Sequence, residues 1–263
     1  MAKAKEAEVV RLDVWGSYRP LKRQGQVHTL PDQVTTALVM GGVGSGKTTG
    51  CSRQIVAQAL SHPGSRTFCG RRTEDLCREA LIPAVFGVLQ DLDERNRHVL
   101  GEGGSLISDW LKSEMLLTLA APGGHITQIK FGHLQDVLVN FGSRDFSSFW
   151  IDEASTDLTL EGFRYFLGRL RHPVQVPVKM LLSTNPADED HWLHEEFVKT
   201  QDSERTVLHL PTMDNPHLPA GYVDRLKKMP KDWRRKFLEG EWGFLIEGEA
   251  VYPEFQPSLE SEA

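Results

Sequence analysis

Apolar positions in this chain fall into short runs with two different periods. Residues 35–40 (TTALVM) form a β-branched and apolar run that ends on glycines, which predicts a buried strand. Residues 47–60 have helical character until His62-Pro63-Gly64 stops them. The alternation then repeats, with strands expected at 66–69, 148–151 and 178–183 and helices at 73–89, 158–170, 191–199, 221–229 and 233–238. Strands alternating with helices predict an α/β fold whose central, mainly parallel sheet is flanked by helices. The middle departs from this rhythm. Residues 115–120 and 126–131 flank Pro122-Gly123-Gly124, a hairpin signal, expected as a small insertion at a sheet edge. Residues 1–14 read as a flexible lead, 15–31 within the domain as an extended segment with a turn, 15–245 as one domain, and 246–263 as a linker or tail.

Composition narrows the class. The chain has 263 residues, 40% hydrophobic and 25% charged, which suits a globular domain with a sizeable core. Its net charge of −6 is not that of a protein that coats nucleic acid, so any DNA contact must come from a local patch. Three cysteines, Cys51, Cys69 and Cys77, form no C-x-x-C pair, and neither a disulfide framework nor a zinc knuckle is indicated. The N-terminus lacks an apolar signal core, and no apolar run approaches the roughly 20 residues that span a bilayer. The expectation is a soluble, intracellular protein with no membrane partner.

The strongest chemical signal follows the first strand. Gly41-Gly42-Val43-Gly44-Ser45-Gly46-Lys47-Thr48 fits G-x-x-x-x-G-K-[ST], the phosphate-binding P-loop, with Thr49 next on the helix. Glycines let successive N–H groups turn inward towards phosphate oxygens, and a helix N-terminus adds its positive dipole end. Lys47 is placed to reach the β- and γ-phosphates, and the Thr48 hydroxyl to ligate Mg²⁺. About one hundred residues on, Phe149-Trp150-Ile151 ends in Asp152-Glu153. In a P-loop enzyme the first acid holds Mg²⁺ and the second polarises the attacking water as general base. Ser183-Thr184-Asn185, closing the next strand before Pro186, is a polar end suited to sense hydrolysis and pass it to a moving element.

These residues, in this order, resemble the ATPase half of the large terminase subunit of tailed bacteriophages, a DNA-packaging motor. The resemblance spans about residues 15–255. It rests on residues 41–48, Trp150-Ile151-Asp152-Glu153-Ala154, Gly168-Arg169-Leu170-Arg171, Ser183-Thr184-Asn185-Pro186, Asp214-Asn215-Pro216-His217-Leu218-Pro219, Leu238-Glu239-Gly240-Glu241-Trp242-Gly243 and Val251-Tyr252-Pro253-Glu254-Phe255. It implies a P-loop NTPase with a C-terminal linker or lid segment, ATP and Mg²⁺ as ligands, and a homo-oligomeric ring. Implied partners are double-stranded DNA, the portal protein of a procapsid and a small terminase subunit, met in the host cytoplasm and at the portal vertex. It implies an adenine-contacting glutamine, Gln24 or Gln26, with Gln24 favoured. It also implies an arginine that neutralises charge on the γ-phosphate. Many relatives carry a basic residue inside the loop, where this chain has Val43, so the arginine must come from elsewhere, in the same subunit or a neighbour. Arg144 is the candidate, with Arg72, Arg169 and Arg171 as competitors. Residues 251–255 resemble the junction to a nuclease domain; the chain stops at Ala263, and no DNA cleavage is expected from it.

Other features carry less. Arg225, Lys227, Lys228, Lys231, Arg234, Arg235 and Lys236 read either as a patch for DNA phosphates or a further domain, or as the solvated face of two short helices. His191, His194 and Glu195 lack the H-E-x-x-H order of a zinc site, and no G-x-S-x-G is present. A helicase-type DNA-dependent ATPase and a non-catalytic nucleotide-binding docking module are the alternatives to a packaging motor.

Overall fold

The computed structural model describes residues 12–121, 125–135 and 144–243. Its strands are β1 (Thr36–Gly41), β2 (Arg66–Arg71), β3 (Ile107–Leu111), β4 (Leu116–Ala121), β5 (His125–His133), β6 (Ser148–Asp152), β7 (Met180–Thr184) and β8 (Arg205–Leu210). They form one sheet in the order β3-β4-β5-β2-β6-β7-β1-β8. The six strands from β5 to β8 in that order run parallel, and β3 and β4 are antiparallel additions. The fold is therefore α/β with a mainly parallel sheet, as the pattern predicts.

The central strands are apolar on both sides because helices cover both faces. Ala37, Val39, Cys69, Trp150 and Leu181 point into one core, with α1 (Lys47–Ser61) and α2 (Ile82–Arg95) supplying Ile55, Val56, Val85 and Leu89. Leu38, Met40, Phe68, Phe149, Ile151, Met180 and Leu182 point into the other, against Phe163 and Phe166 of α3 (Leu160–Leu167). Successive residues of each strand alternate between the two cores, the period of two that a pleated strand imposes.

Two local expectations need correction, the helix at 73–89 and the absence of strands at the sheet edges, and two others gain detail. The helix expected at 73–89 is a short turn, Glu74–Leu76, capped by Thr73, then a π turn over Cys77–Leu81, then α2 running on to Arg95. Pro83 lacks the N–H that would continue the α pattern back to Glu79, and the wider turn absorbs the break. The hairpin stands beside one edge of the sheet, as expected, and is continuous with it. β5 pairs with β2, so β4 and β3 extend the main sheet, while the Pro122-Gly123-Gly124 turn lies outside the described residues. The edge strands β3 and β8 escape the sequence pattern because half-exposed, polar-rich edges do not show a buried run. The lead-in contains a 3-10 turn, Gln24–His28, anchored by buried Val27.

The three cysteines are free and buried. Among the described residues no helix is long and apolar enough to cross a membrane. Residues 1–11 of the lead expected at 1–14, and the tail expected at 246–263, lie outside the described residues.

Candidate active site

The carboxyl ends of β1, β6 and β7 meet at one edge of the sheet, where parallel α/β sheets place their ligands. β1 runs into the loop 41–46, and α1 starts at Lys47. Gly46, at φ 88°, holds a left-handed conformation that a side chain would strain. Gly42 is required for a different reason, since a Cβ there would lie 2.1 Å from the Phe237 carbonyl oxygen. The Lys47 ammonium is buried and donates to Gly41 O, Gly42 O and Asn185 Oδ1, each at 2.9 Å. Burial pulls its pKa down, and the charges of Glu153 and Asp152 oppose that shift.

β6 delivers the acids. Trp150, fully buried, donates its indole N–H to Ser183 Oγ at 2.9 Å, and Ser183 Oγ donates to Asp152 Oδ1 at 2.6 Å. Arg71, which ends β2, lies 3.4 Å from Asp152 Oδ2 and donates from Nε to Asp157 Oδ2 at 2.8 Å. Burial raises the Asp152 carboxyl above its usual range, opposed by the Ser183 hydrogen bond and the Arg71 charge. Glu153 is raised too, first by burial and then by Asp152 beside it. Its backbone sits at φ 51°, ψ 45°, left-handed for a non-glycine residue. Such a conformation costs on the order of 1–3 kcal/mol and is characteristic of functional turns.

β7 closes the arrangement. One amide, that of Asn185, spans the site: its oxygen accepts from Lys47, and its nitrogen lies 3.5 Å from Glu153 Oε2. Thr184 Oγ1 accepts from the Ser155 N–H at 3.1 Å and lies 2.6 Å from Ser155 Oγ, tying β7 to the turn after Glu153. Residues 43–49, Glu153, Asn185, Asn215 and Leu218 line a cavity of about 370 Å³. A second cavity, of about 390 Å³, shares Gly46, Thr49 and Asn215 with it and is walled by Tyr18, Leu21, Gln24 and His217.

The sequence-predicted residues 41–49, Asp152, Glu153, Ser183, Thr184 and Asn185 thus converge. Gln24 joins them, buried, with its oxygen accepting from the Leu21 N–H at 2.9 Å and its nitrogen donating to Gly46 O at 2.7 Å; Gln26 is exposed. Arg144 does not reach the loop of its own chain. It lines cavities beside β5 with Glu114, Lys130 and Phe146. Arg169 stacks on Tyr165, Arg171 pairs with Asp145, and Arg72 is exposed. The arginine beside the acids is Arg71, which no motif singles out; β2 and β6 pair with Gly70 opposite Ile151, and that register alone sets it next to Asp152.

His191 accepts from the Leu193 N–H, with its other ring nitrogen 3.0 Å from Ser155 O, and no His/Cys/Asp/Glu cluster among the described residues could hold a metal. A hard-oxygen pair remains, the Thr48 hydroxyl and the Asp152 carboxylate, a set that suits Mg²⁺ because that ion keeps most of its waters. Within the basic stretch, Lys227, Arg235 and Lys236 are ion-paired with Asp224, Glu241 and Asp188.

Comparison with known proteins bears on this geometry. A family model described as phage terminase large subunit matches residues 33–239. The PBSX phage terminase large subunit of Bacillus subtilis (strain 168) is 26% identical over 247 residues, covering 84% of this chain and 52% of that protein. The large terminase of the thermophilic bacteriophage D6E superposes with a TM-score of 0.69 at 17% identity, over 86% of this chain and 54% of that one. The ATPase domain of the Thermus phage P74-26 large terminase gives 0.62 at 15% identity, over 86% and 94%. The D6E protein has also been solved in complex with ATP-gamma-S. This chain spans about half the length of the PBSX and D6E proteins.

Proposed function

This chain belongs to the phage terminase large subunit family, and from that premise we propose that it is the ATP-hydrolysing motor domain that drives viral double-stranded DNA into a procapsid. The observation that carries the reading is the single Asn185 amide joining Lys47 to Glu153 across the cavity at the ends of β1, β6 and β7. The loop amides of residues 44–48 face the phosphates, and Lys47 exchanges its carbonyl partners for phosphate oxygens. Thr48 and Asp152 are the residues that would hold Mg²⁺, which would supply neutralisation of phosphate charge. Glu153 accepts a proton from the attacking water; burial raises its basicity, which is what a general base needs. Asn185 feels the change at both Lys47 and Glu153 and passes it through Thr184 to Ser155.

The cavity walled by Tyr18 and Gln24 receives the base. Gln24 retains one N–H and one lone pair for it, the others being taken by Gly46 and Leu21. Arg71 screens the paired acids within the subunit, and Arg144 acts from a neighbouring copy in a ring. The portal protein, the small terminase subunit, the host cytoplasm and the portal vertex complete the setting of such a motor.

ATPase assays with and without DNA and portal protein test this reading. Lys47→Ala is expected to lose nucleotide binding. Glu153→Gln is expected to keep binding ATP while turnover falls about 10²–10⁴-fold, the usual worth of a general base. Turnover by Glu153→Gln at the wild-type rate would remove the assignment and favour a docking module.

A further inference from the structure

The phosphate loop is held by three side chains from two separate segments, the lead-in and residues 212–215. Thr212 Oγ1 donates to Val43 O at 2.9 Å, Asn215 Nδ2 donates to Gly44 O at 2.7 Å, and Gln24 Nε2 donates to Gly46 O at 2.7 Å. Asn215 is itself fixed, because its Oδ1 accepts from the His217 N–H at 3.0 Å. The Val43 N–H is used as well, donating to Phe237 O at 2.9 Å.

A peptide unit is planar and trans, so its carbonyl and its N–H point in opposite directions. Holding the Val43 carbonyl outward turns the Gly44 N–H towards the cavity. Holding Gly44 O does the same for the Ser45 N–H; Gly46 O also accepts the helical Gly50 N–H at 3.0 Å, and Gln24 adds a second hold on that carbonyl. Among the described residues the amides of Gly44, Gly46, Lys47 and Thr48 have no protein acceptor, and that of Ser45 keeps only a 3.3 Å contact with Gly42 O. Ser45 Oγ is buried and likewise lacks a partner. A glycine-rich loop has no intrinsic preference for that array of donors, since its residues adopt either sign of φ.

We propose that Thr212, Asn215 and Gln24 are positioning residues that hold the loop's carbonyls outward and so preset its amides for a polyphosphate. The proposal rests on the nucleotide-site reading above. It gives Asp214-Asn215-Pro216 a physical task and makes the segment 212–217 part of the binding apparatus without contact to phosphate.

Titration with ADP and ATP-gamma-S, together with hydrogen exchange of residues 42–48 in nucleotide-free protein, tests it. Thr212→Ser keeps the donor and is expected to bind within about twofold of wild type. Thr212→Val keeps the shape and loses the donor. Thr212→Val and Asn215→Ala are each expected to weaken both nucleotides about tenfold, the order of one hydrogen bond lost, and Thr212→Val to speed exchange of the Val43 amide, which is hydrogen-bonded to Phe237 O. Asn215, half-buried, keeps the test available should Thr212→Val fail to fold. Lys47→Ala serves as the control. If it abolishes binding while Thr212→Val and Asn215→Ala bind like wild type, the positioning role is wrong and the site stands. If Lys47→Ala also binds normally, the nucleotide-site reading fails and takes this proposal with it.

Discussion

At Glu153 two unfavourable terms coincide, a left-handed backbone and a carboxylate whose pKa is raised by burial. A raised carboxyl pKa means that the folded state binds its proton more tightly than the unfolded chain. The stability linked to that proton is present below the ordinary glutamate pKa and is lost as pH rises through the folded value. Near pH 8 the ionised side chain therefore weakens the nucleotide-free fold. Glu153→Gln is expected to raise the melting temperature at about pH 8, and that gain should vanish as pH falls towards about 4, where both forms are neutral. Thermal melts across pH check this, and an unchanged melting temperature at pH 8 would count against the burial argument. Burial shifts Asp152 in the same direction, opposed in part by the Ser183 hydrogen bond and the Arg71 charge. These acids and Lys47 were legible in the sequence because their chemistry needs them at fixed spacing next to strand ends. Arg71 was not, because its place depends on which strand neighbours β2.

At the scale of elements, the junction between the phosphate loop and the turn Arg235–Glu239 is a tightly constrained contact beside the site. A Cβ on Gly42 would lie 2.1 Å from Phe237 O and 2.3 Å from Thr212 Oγ1, and neither the backbone nor a buried hydroxyl can yield cheaply. Gly42→Ala is expected to unseat that turn, speeding limited proteolysis around 235–243, with nucleotide affinity falling more than about tenfold and far-UV circular dichroism unchanged. Gly87 offers the contrast. It is exposed in the middle of α2, and a Cβ there meets nothing within 4 Å. Gly87→Ala is expected to stabilise the protein by about 0.5–1 kcal/mol, measured by denaturant unfolding, because it restricts the unfolded chain and suits the helix. The elements the pattern recovers are the central ones, whose apolar runs are unbroken. Those it misses are β3, β8 and the π turn at Cys77–Leu81, where exposure or a proline blurs the period.

For the whole molecule, the site draws on the lead-in at Gln24, the sheet ends, and the segment from Thr212 to Gly240, so a ligand there ties together distant parts of the chain. Ligand binding to the folded state alone stabilises it by about 2.7 kcal/mol at a hundred times Kd. In a domain of this size that is a rise of roughly 5–10 °C in melting temperature. ATP-gamma-S with Mg²⁺ should produce it in wild type and not in Lys47→Ala; an equal shift in both would place the nucleotide elsewhere. The sequence by itself determined the alternation of strand and helix, the phosphate loop, the adjacent acids and the polar end of β7, because each depends on residues within a few positions of one another. The tertiary structure alone decided that β2 lies beside β6 and brings Arg71 to Asp152, that Arg144 faces away from the loop of its own chain, and that Thr212 and Asn215 grip the loop from behind. Those contacts join residues some 80 to 170 positions apart, and no local period or spacing encodes which distant segments a folded sheet will bring together.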